Sequence, residues 1–169
     1  WDAVTDLLNS RWRHERGFDM AVGAAVIDHG GHRSQSVRAY CRQHRTQIFP
    51  IIGRAGNDRD PVKGPTRIRF GKSKSQYVFH YVLGVDKLKG QVLGRLQLAD
   101  VGPGYCHFPK GRDVAYYEQL TAERLVTEIK KNRRVTEWRK VSEDARNEAL
   151  DCRVYAYAAL LIRAPRWDV

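Results

Sequence analysis

Val4, Leu7, Leu8 and Trp12 recur at helical spacing, so residues 1 to about 13 are predicted to form a helix with one apolar face, ended by a loop through Gly17. The run Ala21 to Ile27 is short, apolar and stopped by Asp28-His29-Gly30-Gly31. That suits a strand buried on both faces, with Asp28 at its carboxyl end. Ser34 to His44 places Val37, Tyr40 and Cys41 on one side of a helix, and Gln47 to Ile52 is a second apolar run. Strand, helix and strand in this order normally give a parallel pair with a right-handed crossover.

Gly, Pro, Asn and Asp crowd residues 53 to 65 and predict a long loop. Arg67 to Phe70 and Tyr77 to Val85 flank a polar turn at Gly71 to Ser75, the pattern of a hairpin. A helix begins at Asp86 with Leu88, Val92, Leu93 and Leu96, and Gly102-Pro103-Gly104 turns the chain before the apolar segment Tyr105 to Phe108. A further helix is predicted from about Asp113 to Thr127, with Tyr116, Tyr117, Leu120 and Leu125 as its apolar side. Residues 128 to 141 alternate basic and apolar positions and predict a second hairpin. From Asn147 to Ile162 the chain is apolar on nearly every side, the mark of a buried helix. The expected architecture is one α/β domain over residues 1–169, a mixed sheet with helices on its faces and two basic hairpins.

Charge changes this picture most. Lys and Arg number 30 against 19 acids, for a net charge of +11, and a field of that sign attracts a polyanion. Nucleic acid is the first partner to consider and an acidic membrane surface the second. No apolar run approaches the roughly 20 residues needed to span a bilayer, and no amino-terminal signal pattern is present. The expectation is a soluble, cytoplasmic protein. Cys41, Cys106 and Cys152 are far apart and lack the close pairs of zinc or redox motifs, so reduced thiols are expected. Trp1 is not an initiator residue, and the chain is expected to be cut from something longer.

Asp28 carries the first candidate chemistry, because open α/β sheets place ligand sites beyond the carboxyl ends of their strands. Its plainer role would be to cap the turn that follows. Glu148 and Asp151, three apart at the start of the last helix, share a face. They could equally complement the helix dipole or pair with Arg146 or Arg153. If that face meets the end of the Asp28 strand, the carboxylates converge, and such an all-oxygen cluster favours Mg²⁺ or Mn²⁺. Two such ions roughly 3.5 to 4 Å apart suit phosphodiester hydrolysis. Arg67, Arg69, Lys72 and Lys74 of one hairpin, and Lys130, Lys131, Arg133 and Arg134 of the other, would grip phosphates without reading bases, or simply be solvated turns. His29 and His32 lack a third ligand for zinc, no P-loop or dinucleotide fingerprint is present, and nothing supplies a nucleophile elbow for Ser34 or Ser36.

Several segments together resemble the lambda-type terminase large subunit family. They are Ala24 to Gln35 (AAVIDHGGHRSQ), Gly84-Val85-Asp86, Gly102 to Pro109 (GPGYCHFP), Tyr117 to Glu123 (YEQLTAE) and Arg146 to Ala156 (RNEALDCRVYA). The resemblance implies a ribonuclease H-like nuclease that follows an amino-terminal ATPase motor absent here. It implies an endonuclease that cuts concatemeric double-stranded viral DNA during packaging in the bacterial host, working with two Mg²⁺ or Mn²⁺ ions. Asp28 corresponds to the acid ending an inner strand, Glu148 to the acid at the start of the closing helix, and Asp151 to its companion. A first catalytic aspartate is expected on a strand upstream of this chain. Arg33 and Arg54 join the hairpin cations as expected DNA contacts, Arg54 lying close to Ile52, where many relatives have lysine. The small terminase subunit and the viral portal are the implied partners of the whole protein. Two rivals stand beside this expectation: a nuclease of the same fold with another task, such as junction resolution, and a DNA-binding or assembly module that does no chemistry.

Overall fold

The computed structural model describes residues 1–164, so the end of the chain from Pro165 lies outside the described residues. The described chain divides into two compact units: residues 1–52, 64–82 and 159–164 form the first, and 53–63 with 83–158 the second.

The first unit is built on a sheet. Helix α1 (Asp2–Asn9) leads into strands β1 (Arg11–Arg13) and β2 (Asp19–Ala21), followed by β3 (Ala25–Asp28), α2 (Ser34–Gln43) and β4 (Ile48–Arg54). Strands β5 (Val62–Arg69) and β6 (Tyr77–Gly84) complete a four-stranded sheet in the order β3-β4-β6-β5. As expected, β3 and β4 are parallel, with Ala25 beside Ile48 and Asp28 beside Ile51. Val37, Tyr40 and Cys41 of α2 bury themselves with Leu8, Ile48 and Val78 to form the core of this unit. The Cys41 thiol, pushed up to about 12 by that burial, stays protonated. Iodoacetamide at about pH 8, where an ordinary thiol is partly ionised, is therefore expected to label exposed Cys152 well before Cys41. Equal labelling rates in the native protein would contradict this packing.

Three expectations change here. The first helix stops at Asn9, where Ser10 turns extended, and Trp12 lies in the β1/β2 hairpin opposite Met20. Arg13 pairs with Asp19 across that hairpin at 3.1 Å, and His14 stacks on Phe18. The strand predicted from Ala21 to Ile27 is shorter and only half-buried: β3 is an edge strand, and Ala21 belongs to β2. The loop predicted for 53–65 narrows to residues 55–61, because β5 absorbs Gly64 and Pro65. β5 is an edge strand, the place in a sheet where proline is tolerated.

The second unit holds α3 (Val85–Leu96), α4 (Val114–Leu120), strands β7 (Glu123–Lys130) and β8 (Arg133–Lys140), and most of α5 (Glu148–Arg163). Leu88 and Val92 of α3, Leu120, and Leu150, Val154 and Ala158 of α5 are among its buried positions. Gly84, before α3, sits so close to the backbone that a Cβ there would lie 2.5 Å from the carbonyl of Asp60. The helix predicted from 113 to 127 ends at Leu120. Asp113 caps it through the Tyr116 N–H, but Val126, Thr127 and Ile129 are β-branched and pair into β7 instead. The second hairpin is thus real and longer than predicted. The helix predicted as buried on every side has an exposed flank at Cys152, Ala156 and Leu160, because small alanines need no cover. The whole is mixed α/β, a mixed sheet with flanking helices. Among the described residues no helix is long and apolar enough to cross a membrane.

Candidate functional site

Asp28 ends β3, and its exposed side chain lies where the strand gives way to the glycines at 30 and 31. Its Oδ1 accepts the Gly30 N–H at 2.7 Å, so the turn-capping role is present. The following residue turns inward. His29 is buried and its backbone N–H donates to the Ile51 carbonyl at 3.0 Å, extending the β3–β4 pairing by one residue. Arg38 of α2 donates to His29 Nδ1 at 3.2 Å, which leaves Nε2 to carry the proton and donate to His80 Nδ1 at 2.9 Å. Burial, followed by the charge of Arg38, pushes both imidazoles below their ordinary pKa and keeps them neutral. With both ring nitrogens engaged, His29 has none to offer a zinc ion beside exposed His32.

Glu148 and Asp151 lie one helical turn apart at the start of α5, in the second unit. Glu148 is exposed and accepts from Arg146 at 3.2 Å. A hydrogen bond from its own backbone amide, then Arg146, holds its carboxyl below the usual range, so it is ionised at neutral pH. Asp151 is half-buried, and that burial raises its pKa against the opposing pull of Lys89. The prospective partner Arg153 lies over the Phe108 ring instead.

Sequence reasoning missed the group that surrounds Asp151. Lys89 of α3 donates to both oxygens of Glu123 at 2.7 and 2.8 Å, and its ammonium is 3.9 Å from Asp151. Asn147 bridges the two acids, donating to Glu123 at 2.7 Å and to Asp151 at 3.3 Å. Glu123 is buried, at 5% exposure, and Lys89 is largely covered, at 13%. One signal was legible: Lys89 stands four residues after Val85 and three before Val92, beside the apolar stripe of its helix.

Asp28, Glu148 and Asp151 each offer carboxylate oxygens, the donor type that hard divalent cations take. Asp28 belongs to the first unit and the other two to the second. Among the described residues no three His, Cys, Asp or Glu side chains are grouped to hold a metal by themselves.

The basic residues lie where hairpins and element ends put them. Arg67 and Arg69 point from β5, Lys72 and Lys74 occupy the β5/β6 turn, and Arg33 precedes α2; all are exposed. Arg54 ends β4. Lys131, with Asn132, forms the two-residue turn of the β7/β8 hairpin, both at positive φ, and exposed Arg133 and Arg134 follow. Lys130 is held by Glu137 at 3.0 Å. Arg139 clasps both Glu128 and Glu137; its guanidinium holds the Glu128 carboxyl below the usual range, and Lys130, then Arg139, does the same for Glu137.

A family model described as the terminase large subunit gpA, endonuclease domain, matches residues 1–167. The chain is 32% identical over 174 residues to the terminase, large subunit, of Escherichia phage lambda, and 29% identical over 176 residues to that of Enterobacteria phage P21. Each comparison covers 98% of this chain but 26% of the relative, so the chain spans about a quarter of their length. No solved structure matches it. With the family pattern running from Trp1 to residue 167, the chain belongs to the terminase large subunit gpA endonuclease-domain family.

Proposed function

We propose that this chain is the DNA-cutting domain of a phage packaging terminase, hydrolysing phosphodiester bonds of double-stranded concatemeric DNA in the infected cell. The match of the endonuclease family over residues 1–167 carries this reading. The mixed sheet with flanking helices supports a ribonuclease H-like fold, in which Asp28, Glu148 and Asp151 would hold Mg²⁺ or Mn²⁺. Such ions, when bound, activate water and offset charge on the leaving oxygen. The chain's own cations do the positioning: Lys72 and Lys74 at one hairpin turn, Lys131, Arg133 and Arg134 at the other, with Arg33 and Arg54, neutralise backbone phosphates. An ATPase motor, the small subunit and the portal belong to the whole protein on this reading.

A second reading, a DNA-binding or assembly module without chemistry, is favoured by one observation. Glu148 is paired with Arg146, and Asp151 shares Lys89 with Glu123, as structural carboxylates would be. A nuclease assay on the terminase that contains this chain separates the two. Cleavage of duplex DNA that appears with Mn²⁺ or Mg²⁺ and stops with chelator is the expected result. Duplex binding without cleavage at any metal concentration would leave only the module.

A further inference from the structure

Strand alternation sorts the side chains of β6 onto two faces. Val78 is buried with Ile48 against α2, so Tyr77, Phe79 and Tyr81 project from the opposite face. Phe79 is 51% exposed, an unusual state for a phenylalanine in a strand interior. Tyr77 and Phe79 meet edge to face at 5.8 Å, and Phe49 of the neighbouring β4 meets Tyr81 in the same way at 5.8 Å. The guanidinium of Arg67, on edge strand β5, lies 3.9 Å from the centre of the Tyr77 ring. These aromatics open onto a cavity of about 340 Å³, also lined by Cys41, Ile48 and Val78, to which Arg42 contributes from the last turn of α2 and Arg45 from the segment joining α2 to β4. Among the described residues no carboxylate lines it.

We infer that this face of β6 is a stacking platform for unpaired bases of single-stranded DNA, with Arg42, Arg45 and Arg67 taking the phosphates alongside. A base has a flat π-face that an exposed ring can cover, whereas the bases of a duplex are already stacked and present only their edges. A purely phosphate-binding surface would have no use for exposed Phe79 or for the row of rings beside it. An apolar protein partner would meet three guanidinium groups without a matching acid. The combination of rings and arginines is complementary to a strand with both bases and charge exposed. The platform stands on its own residues and does not depend on the metal site, which uses none of them.

The test is fluorescence anisotropy of the chain with a labelled oligothymidylate, a duplex of equal length and an abasic oligomer, all in chelator so that nothing is cut. Phe79→Ala is expected to weaken single-strand binding by about tenfold, in line with the loss of one stacked base, while duplex and abasic affinities change less than about twofold. Phe79→Trp, which keeps a ring there, should restore binding. Because Phe79 is exposed, the variant should melt as the parent does. Equal losses on all three probes, or no loss on the single strand, would overturn the platform; the second result would assign the face to a protein partner. Neither outcome bears on whether the whole terminase cuts DNA.

Discussion

Asparagine at position 28 is expected to slow duplex cleavage by the whole terminase about 10²- to 10³-fold, the loss typical when a charge-stabilising group leaves a hydrolytic site. The substitution isolates charge from structure. An asparagine carbonyl can still accept the Gly30 N–H that Asp28 Oδ1 accepts at 2.7 Å, so the turn after β3 is kept. What disappears is the negative oxygen that a divalent cation requires. Duplex affinity in chelator should hold within about twofold, because phosphate contact is a matter of Lys and Arg. Asp28→Ala removes turn cap and charge together and should both lose cutting and lower the melting temperature. A fully active Asp28→Asn enzyme would reduce Asp28 to its turn-capping role and remove it from the chemistry.

A second large effect is expected far from any DNA contact. Glu123→Leu leaves the largely covered Lys89 ammonium of α3 with Asp151, at 3.9 Å, as its remaining carboxylate. Breaking a fully buried pair from one side costs about 3–5 kcal/mol, and because Lys89 keeps Asp151 at 3.9 Å and a little solvent, the loss is expected toward the lower end of that range. A denaturant midpoint well below that of the parent is the expected reading. Replacing both members, Lys89→Met with Glu123→Leu, should recover most of the loss, because two apolar side chains need no compensation. If the single variant is as stable as the parent, the pair is solvated in solution and its packing here is not what holds α3 to β7.

Local pattern made parts of this molecule legible and left others hidden. The β3–α2–β4 unit was readable because Val37, Tyr40 and Cys41 fall on one helical side between two apolar runs, and the parallel pairing followed. The positions of two candidate acids, Asp28 closing a strand and Glu148 opening a helix, were visible for the same reason. Beyond Leu120 the pattern misled. Tyr116, Leu120 and Leu125 approximate helical spacing, yet Leu125 is half exposed and pairs opposite Trp138 in a ribbon. The decision between helix and strand was made by a cross-strand partner lying outside any local window. Beyond the place of Lys89 beside an apolar stripe, its pairing with Glu123 and Asn147 was hidden, because an ion pair across 34 residues leaves no periodicity to read. The Trp138 indole donating to the Asp86 carbonyl at 3.0 Å is a contact of the same kind.

The apex of the second ribbon shows what its sequence favours. Two-residue turns with both residues at positive φ favour glycine, asparagine or aspartate, and a side chain such as lysine gives up roughly 1–2 kcal/mol there. Lys131 nonetheless occupies that corner, at φ 49°, with Arg133 and Arg134 next to it, while the acids Glu128 and Glu137 are drawn back along the strands by Arg139. The ribbon is therefore polarised along its length, neutralised toward its base and cationic at its tip. An approaching polyanion meets the positive end first.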